Sequence, residues 1–294
     1  LPEYRPADDP ARIADEAKKR ESAKLAQRTH ARGLAGVRVI LDAGHGGRDV
    51  GTLHDGVEEA SVAYDVMCRL ERILKKRSAA VVSTTRDEHA VFTNPRYELD
   101  DDPVVGVNLR WYLANSIFRK STKSGVAREK VVFISIHADS LHPSLRGAMA
   151  YIPGASYVTG SFEKSGKVYL ARAEVREAPV VRHSEKESLA AEGLSRDLAE
   201  SIVDSFESNE LQVHPFNPVR DNVVRDGNEW VPAVIRYNLV PTRLLLEICN
   251  LGNRKDRELV KTKAYRQKIA EAMYEGLVRF YAERGEAPMV AASR

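Results

Sequence analysis

Three polar residues break apolar runs of this chain at places where an α/β sheet would build a site. His45 follows the short run Val37-Arg-Val-Ile-Leu41, His137 closes Val131-Val-Phe-Ile-Ser-Ile-His137, and Glu247 sits inside Leu244-Leu-Leu-Glu-Ile-Cys249. Open α/β sheets bind ligands in the crevice outside the carboxyl ends of their strands. One histidine at a strand end is ordinarily a hydrogen-bonded structural residue. Two of them, with acids on neighbouring elements, make a different set. Neutral imidazoles with a carboxylate are the protein ligands of a catalytic zinc, and one position is left for water.

The adjacent acids Glu58 and Glu59 part company on a helix. Glu59 leads the stripe Val62, Ala63, Val66 and Leu70, which would pack on a sheet, whereas Glu58 leads Ser61, Asp65, Arg69 and Arg72 toward solvent. A carboxylate heading a buried stripe needs a partner, because unpaired buried charge is costly. A metal would supply one, and a simple interaction with the helix N-terminus is the plainer account. Glu247 has no basic neighbour within its strand. Unpaired burial would raise its pKa and suit it to general acid–base work near neutral pH. An ion pair with Arg236 or Arg243 would give it a structural role instead.

These residues need elements to position them. Val37–Leu41 and the following Gly44-His45-Gly46-Gly47 read as a strand and a loop. Val62, Val66, Leu70, Ile73 and Leu74 recur at helical spacing over 59–77, Ala80–Thr85 reads as a strand, and a helix is expected near 108–120. The nearly continuous apolar run at 131–137 has the pattern of a strand buried on both faces. A strand at 147–153, a helix at 188–207, a strand at 244–249 and one long helix at 255–283 complete the alternation. The alternation predicts an α/β fold, a sheet sandwiched by helices, in a single domain over 36–284. Residues 1–35, charged and alanine-rich, read as a helical extension or linker with a helix from about 11 to 32. The polar segment 154–187 reads as an insertion, and 285–294 as a C-terminal tail.

Composition excludes several classes. The 294 residues carry 45 Lys and Arg against 42 Asp and Glu, a net charge of +3, with 43% hydrophobic and 30% charged residues. Such a chain can bury a core without disulfides, so disorder, collagen-like repeats and a disulfide scaffold are ruled out. Acidic and basic residues are interspersed, with none of the basic stripes that nucleic-acid binding uses. Cys68 and Cys249 stand isolated in apolar stretches and read as small buried hydrophobes. No apolar run approaches the roughly 20 residues that span a bilayer.

The stretch Leu41-Asp-Ala-Gly-His-Gly-Gly-Arg-Asp-Val-Gly51 resembles the opening motif of the zinc-dependent N-acetylmuramoyl-L-alanine amidases of the AmiC-like class. The resemblance continues at Gly56-Val-Glu-Glu59, Thr85-Arg86, Arg110 with Ala114-Asn115, Phe133-Ile-Ser-Ile-His-Ala-Asp139, Pro241 to Glu247, and Asn253 with Asp256. These blocks keep the family's order over about 36–283, and the resemblance implies the family's fold, a twisted and mainly parallel sheet flanked by helices on both faces, as a single catalytic domain. The resemblance implies that His45, Glu59 and His137 hold one zinc ion per chain and that Glu247 is the catalytic carboxylate. It also implies that Asp139 and Asn115 orient the imidazoles. Arg86 and Arg110 belong either to the site or to its structural support.

The activity so implied is cleavage of the amide between N-acetylmuramic acid and L-alanine of the peptidoglycan stem peptide. The expected location is the cell envelope, periplasmic or secreted. Expected partners are peptidoglycan and a protein activator or septal partner, with no nucleic acid and no membrane span. Ala43 stands where the family commonly has proline, Ala60 where it often has lysine, and the run after Glu247 lacks the usual Gly-Phe. Division-associated members carry a metal-occluding helix where 154–187 lies, which makes Glu163, Glu174 and Glu177 candidate blocking carboxylates; a solvated loop is the plainer expectation. A zinc hydrolase of the same fold acting on another peptide or amide, and a catalytically silent peptidoglycan-binding module, are the alternatives.

Overall fold

Strand residues alternate between two faces, and in this chain both faces are covered. The computed structural model describes residues 33–86 and 103–284. Six strands form one sheet in the order β4 (Val81–Thr84), β1 (Arg38–Ala43), β5 (Val131–Asp139), β12 (Thr242–Asn250), β6 (Met149–Tyr151) and β9 (Val219–Arg220). The first four run parallel, β6 is antiparallel to β12, and β9 runs with β6. Three ribbons stand apart: β2 (Leu53–His54) with β3 (Val57–Glu58), β7 (Gly160–Glu163) with β8 (Val180–His183), and β10 (Val223–Arg225) with β11 (Asn228–Trp230).

One sheet face carries Val39, Leu41, Val132, Ile134, Leu244 and Leu246. These form one buried cluster with α1 (Glu59–Arg77), α3 (Glu185–Ser208) and α5 (Lys263–Glu283). The opposite face packs Ile40, Phe133 and Leu245 on Ala114 and Phe118 of α2 (Pro103–Lys123) and on Val234 and Ile235. Fully burying one such side chain stabilises by about 1.5–3 kcal/mol. The expected class, a mainly parallel sheet between helices, is the observed one.

α1 covers the span its spacing predicts. α3 starts a few residues before 188, where Ser184 and Glu187 form a reciprocal capping box. The single helix expected over 255–283 is instead two, α4 (Arg254–Val260) and α5. The Thr262 hydroxyl accepts from the Tyr265 amide at 3.2 Å and starts the second helix afresh. The segment 154–187 is not a solvated loop. Its Tyr169, Val175 and Val181 bury Leu109, Trp111 and Tyr112 of α2 in a third apolar cluster. The helix expected at 11–32 and the tail 285–294 lie outside the described residues.

Candidate metal centre

β1 hands the chain to the loop Gly44–Gly47, and that loop meets His137 closely. A Cβ on Gly44 would lie 2.3 Å from the His137 ring, so only glycine fits. His45 follows with a left-handed φ of 58°, a conformation rare in residues other than glycine. Its carbonyl accepts from Arg86 Nη1 at 3.0 Å and Arg110 Nη1 at 3.2 Å, which holds that turn. Arg110 also pairs with buried Asp42 at 3.1 Å, and Asp42 accepts hydroxyls from Ser135 and Thr85. Both arginines therefore support the loop's backbone.

The His45 Nδ1 lies 2.8 Å from Asp49 Oδ2. Donation from Nδ1 to that carboxylate fixes the ring and leaves Nε2 to face Glu59 Oε1, 3.1 Å away. Glu59 is the first residue of α1 and is buried, whereas Glu58 faces outward to Ser61. Glu59 Oε1 accepts from the Ala138 amide at 3.2 Å and lies 2.9 Å from His137 Nδ1, while Oε2 accepts from the Thr52 amide at 3.0 Å. Burial by itself would raise the Glu59 pKa; the hydrogen bonds to His137 and His45 outweigh it and hold the carboxyl far below its usual range. Burial likewise opposes charge on His45, yet Glu59 and Asp49 win and raise its pKa. At His137 burial prevails over Glu59, and the pKa falls.

Glu247 arrives by register. It pairs directly with His137 across the parallel strands β12 and β5, so the two side chains share one face of the sheet. Its Oε2 is buried without a hydrogen-bond partner among the described residues. Burial first, then the charges of Asp139 and Glu59, push its pKa well above the usual carboxylate value. Among the described residues no arginine pairs with it. Arg243 donates to the Ile235 and Val240 carbonyls, and Arg236 lies over the Phe162 and Tyr237 rings, so the ion-pair alternative fails.

Ligand atoms of His45, Glu59 and His137 all lie within 4.8 Å of one another. Two imidazoles and a carboxylate form a donor set suited to a divalent metal ion. The close packing supports this: a Cβ on Gly51 would lie 2.7 Å from both Glu59 Oε2 and the His45 ring. The three residues and Glu247 line one cleft of about 500 Å³.

Other expectations need correction. Asn115 touches neither imidazole; it donates to the Tyr237 carbonyl at 3.0 Å and accepts from the Leu239 amide at 2.7 Å, clamping α2 to the chain that leads into β12. Asp139 accepts from the Ser140 amide and has no imidazole bond. The orienting acid is Asp49, four residues beyond His45 in the same loop, and that spacing was the available signal. Among the described residues, Glu163, Glu174 and Glu177 do not line the cleft. Glu174 is buried, and Glu177 faces Ser116 and Lys120 on α2. The wall that sequence reasoning missed is the β10–β11 ribbon.

A His–Glu–His cluster that could hold a metal ion thus lies beside a buried carboxylate at the carboxyl ends of parallel strands. The family model for N-acetylmuramoyl-L-alanine amidase matches residues 39–279, and the chain belongs to that family of hydrolases acting on C–N amide bonds. An uncharacterized cell wall amidase of Bacillus anthracis is 25% identical over 254 residues, covering 86% of this chain and 37% of its own length. The chain thus spans little more than a third of that relative. The germination-specific N-acetylmuramoyl-L-alanine amidase of Bacillus subtilis is 22% identical over 255 residues, covering 87% of this chain and 84% of its own. The crystal structure of the amidase Ami1 from Mycobacterium smegmatis shares the fold, with a TM-score of 0.56 at 20% identity over 85% of this chain and 99% of that one.

Proposed function

We propose that this chain is a zinc-dependent amidase that cuts peptidoglycan between N-acetylmuramic acid and the L-alanine of the stem peptide, outside the cytoplasm where that polymer lies. The observation that carries the reading is the convergence of His45, Glu59 and His137 beside Glu247, whose buried Oε2 has no hydrogen-bond partner among the described residues, in a chain of the amidase family. His45, Glu59 and His137 would hold the ion, and zinc suits their nitrogen and oxygen donors. Bound there, zinc would polarise the scissile carbonyl and acidify water.

The rest falls to the protein. Glu247 takes a proton from the attacking water at its carboxylate and delivers it to the departing amine nitrogen. Its raised pKa makes the carboxylate a stronger base for the first transfer than an exposed glutamate would be. Asp49 holds the His45 ring, and Arg86 and Arg110 hold the loop beneath it. Digestion of purified cell-wall sacculi, followed by mass spectrometry, tests the proposal. Peptides with free amino-terminal L-alanine and peptide-free glycan strands are expected. Sacculi left intact by zinc-loaded protein would contradict it.

A further inference from the structure

The cleft carries a cation, and it stands on the β10–β11 hairpin. Val223 pairs with Trp230 and Arg225 with Asn228, and cross-strand partners share a face. Val223, Arg225 and Trp230 therefore point the same way, and all three line the cleft that holds His45, Glu59, His137 and Glu247. The other face carries Glu229, whose carboxylate accepts the Tyr157 hydroxyl, while Asn222 donates to that hydroxyl at 2.9 Å. At the root, the Gly154 amide donates to the Asp221 carbonyl at 3.1 Å and the Ile152 amide to the Arg220 carbonyl at 2.8 Å. A Cβ on Gly154 would lie 2.5 Å from the Asp221 carbonyl oxygen. The hairpin is held at its root and back, and its inner face stays open to the cleft.

Arg225 is exposed and makes no hydrogen bond or ion pair among the described residues. Asp49, Glu59, Asp139 and Glu247 line the same cleft, so among its described lining residues four carboxylates face one guanidinium. The positive charge of Arg225 reaches Asp139, yet no ion pair ties them. A carboxylate on an incoming substrate is repelled by those acids and welcomed by Arg225. Trp230, 38% exposed, adds a flat apolar surface on the same face. Arg225 lines the same cleft as the His–Glu–His cluster and Glu247, so the carboxylate it meets belongs to a residue near the bond that is cut.

We propose that Arg225 is a specificity-determining residue that pairs with a free carboxylate of the substrate's peptide, on the residue following L-alanine, and that the Arg225–Trp230 face is the peptide-recognition wall. This rests on the amidase reading. A guanidinium offers a planar fork that matches a carboxylate and is poorly matched by the neutral amide of the same shape.

The test uses two synthetic substrates. Both are N-acetylmuramoyl-L-alanine joined to the amino group of D-glutamate and extended from its γ-carboxyl by one further amino acid, one with the α-carboxylate of D-glutamate free and one with it amidated. Steady-state kinetics of the wild-type protein and of Arg225→Gln are compared, with Arg225→Lys as the charge-preserving variant. Arg225→Gln should raise KM for the free acid about tenfold, with kcat within about twofold, and leave KM for the amide within about twofold. Arg225→Lys should recover part of the loss. If the wild type cleaves the acid but Arg225→Gln changes both substrates equally, or neither, the proposal falls alone. If the wild type cleaves neither substrate, the amidase reading falls and takes the proposal with it.

Discussion

Gly44 shows how far the centre depends on a single missing methyl group. Its backbone conformation is an ordinary one, and what it supplies is room, because a Cβ would press into the His137 ring at 2.3 Å. Gly44→Ala should therefore displace that imidazole and weaken metal binding at least tenfold, measured by competition with a chelating indicator; unchanged affinity would show that the ring's place is not critical. Residue type and helical phase made much of the centre legible. The stripe that begins at Glu59 separated it from Glu58, and the structure agrees. Asp49, Asn115 and Asp139 were not legible in the same way. Which polar atom reaches an imidazole depends on the left-handed turn at His45 and on the path of the chain at 237–239, and neither has a periodic signature.

At the scale of elements, the surprise is the segment 154–187. Its role as a packed cover for α2 was hidden because the apolar residues Tyr169, Val175 and Val181 are dispersed among charged ones, with neither helical nor strand period over a useful length. It also reaches the cleft indirectly, since Tyr157 braces the back of the β10–β11 hairpin. Within this segment β8 carries His183, whose pKa is pushed down to about 4, by burial first and then by the charge of Arg243. In the unfolded chain the same imidazole titrates near 6.5, so the unfolded state takes the proton first. Stability should thus decline as pH falls from about 6.5 to about 4. Urea unfolding at pH 7 and pH 5 should show a smaller loss for His183→Gln than for the wild type, and equal losses would exclude His183 as a source. The break between α4 and α5 is a further case of local chemistry overriding period. The apolar spacing runs on, but the Thr262 cap sets a new start.

At the scale of the whole molecule, alternation of strands and helices foretold the layered α/β fold, because apolar strands buried on both faces demand cover on both sides. Register was beyond reach from sequence, and it is the register of β12 on β5 that sets Glu247 beside His137. A metal ion held by His45, Glu59 and His137 would join α1, β5 and the loop after β1, and so should stabilise the fold as one unit. A metal held at about 100 times its Kd adds about 2.7 kcal/mol. Chelation should accordingly lower the thermal midpoint by several degrees and zinc should restore it; a midpoint indifferent to metal would argue against a site in the described core. If three residues hold the ion while Glu247 moves protons, removing the Glu247 carboxylate spares the metal and stops the reaction. Metal content and turnover measured on one preparation of Glu247→Gln address both halves at once. About one zinc per chain is expected, as in the wild type, with release of stem peptides at least about 100-fold slower. Turnover close to the wild-type rate, or loss of the metal together with activity, would contradict that division of roles.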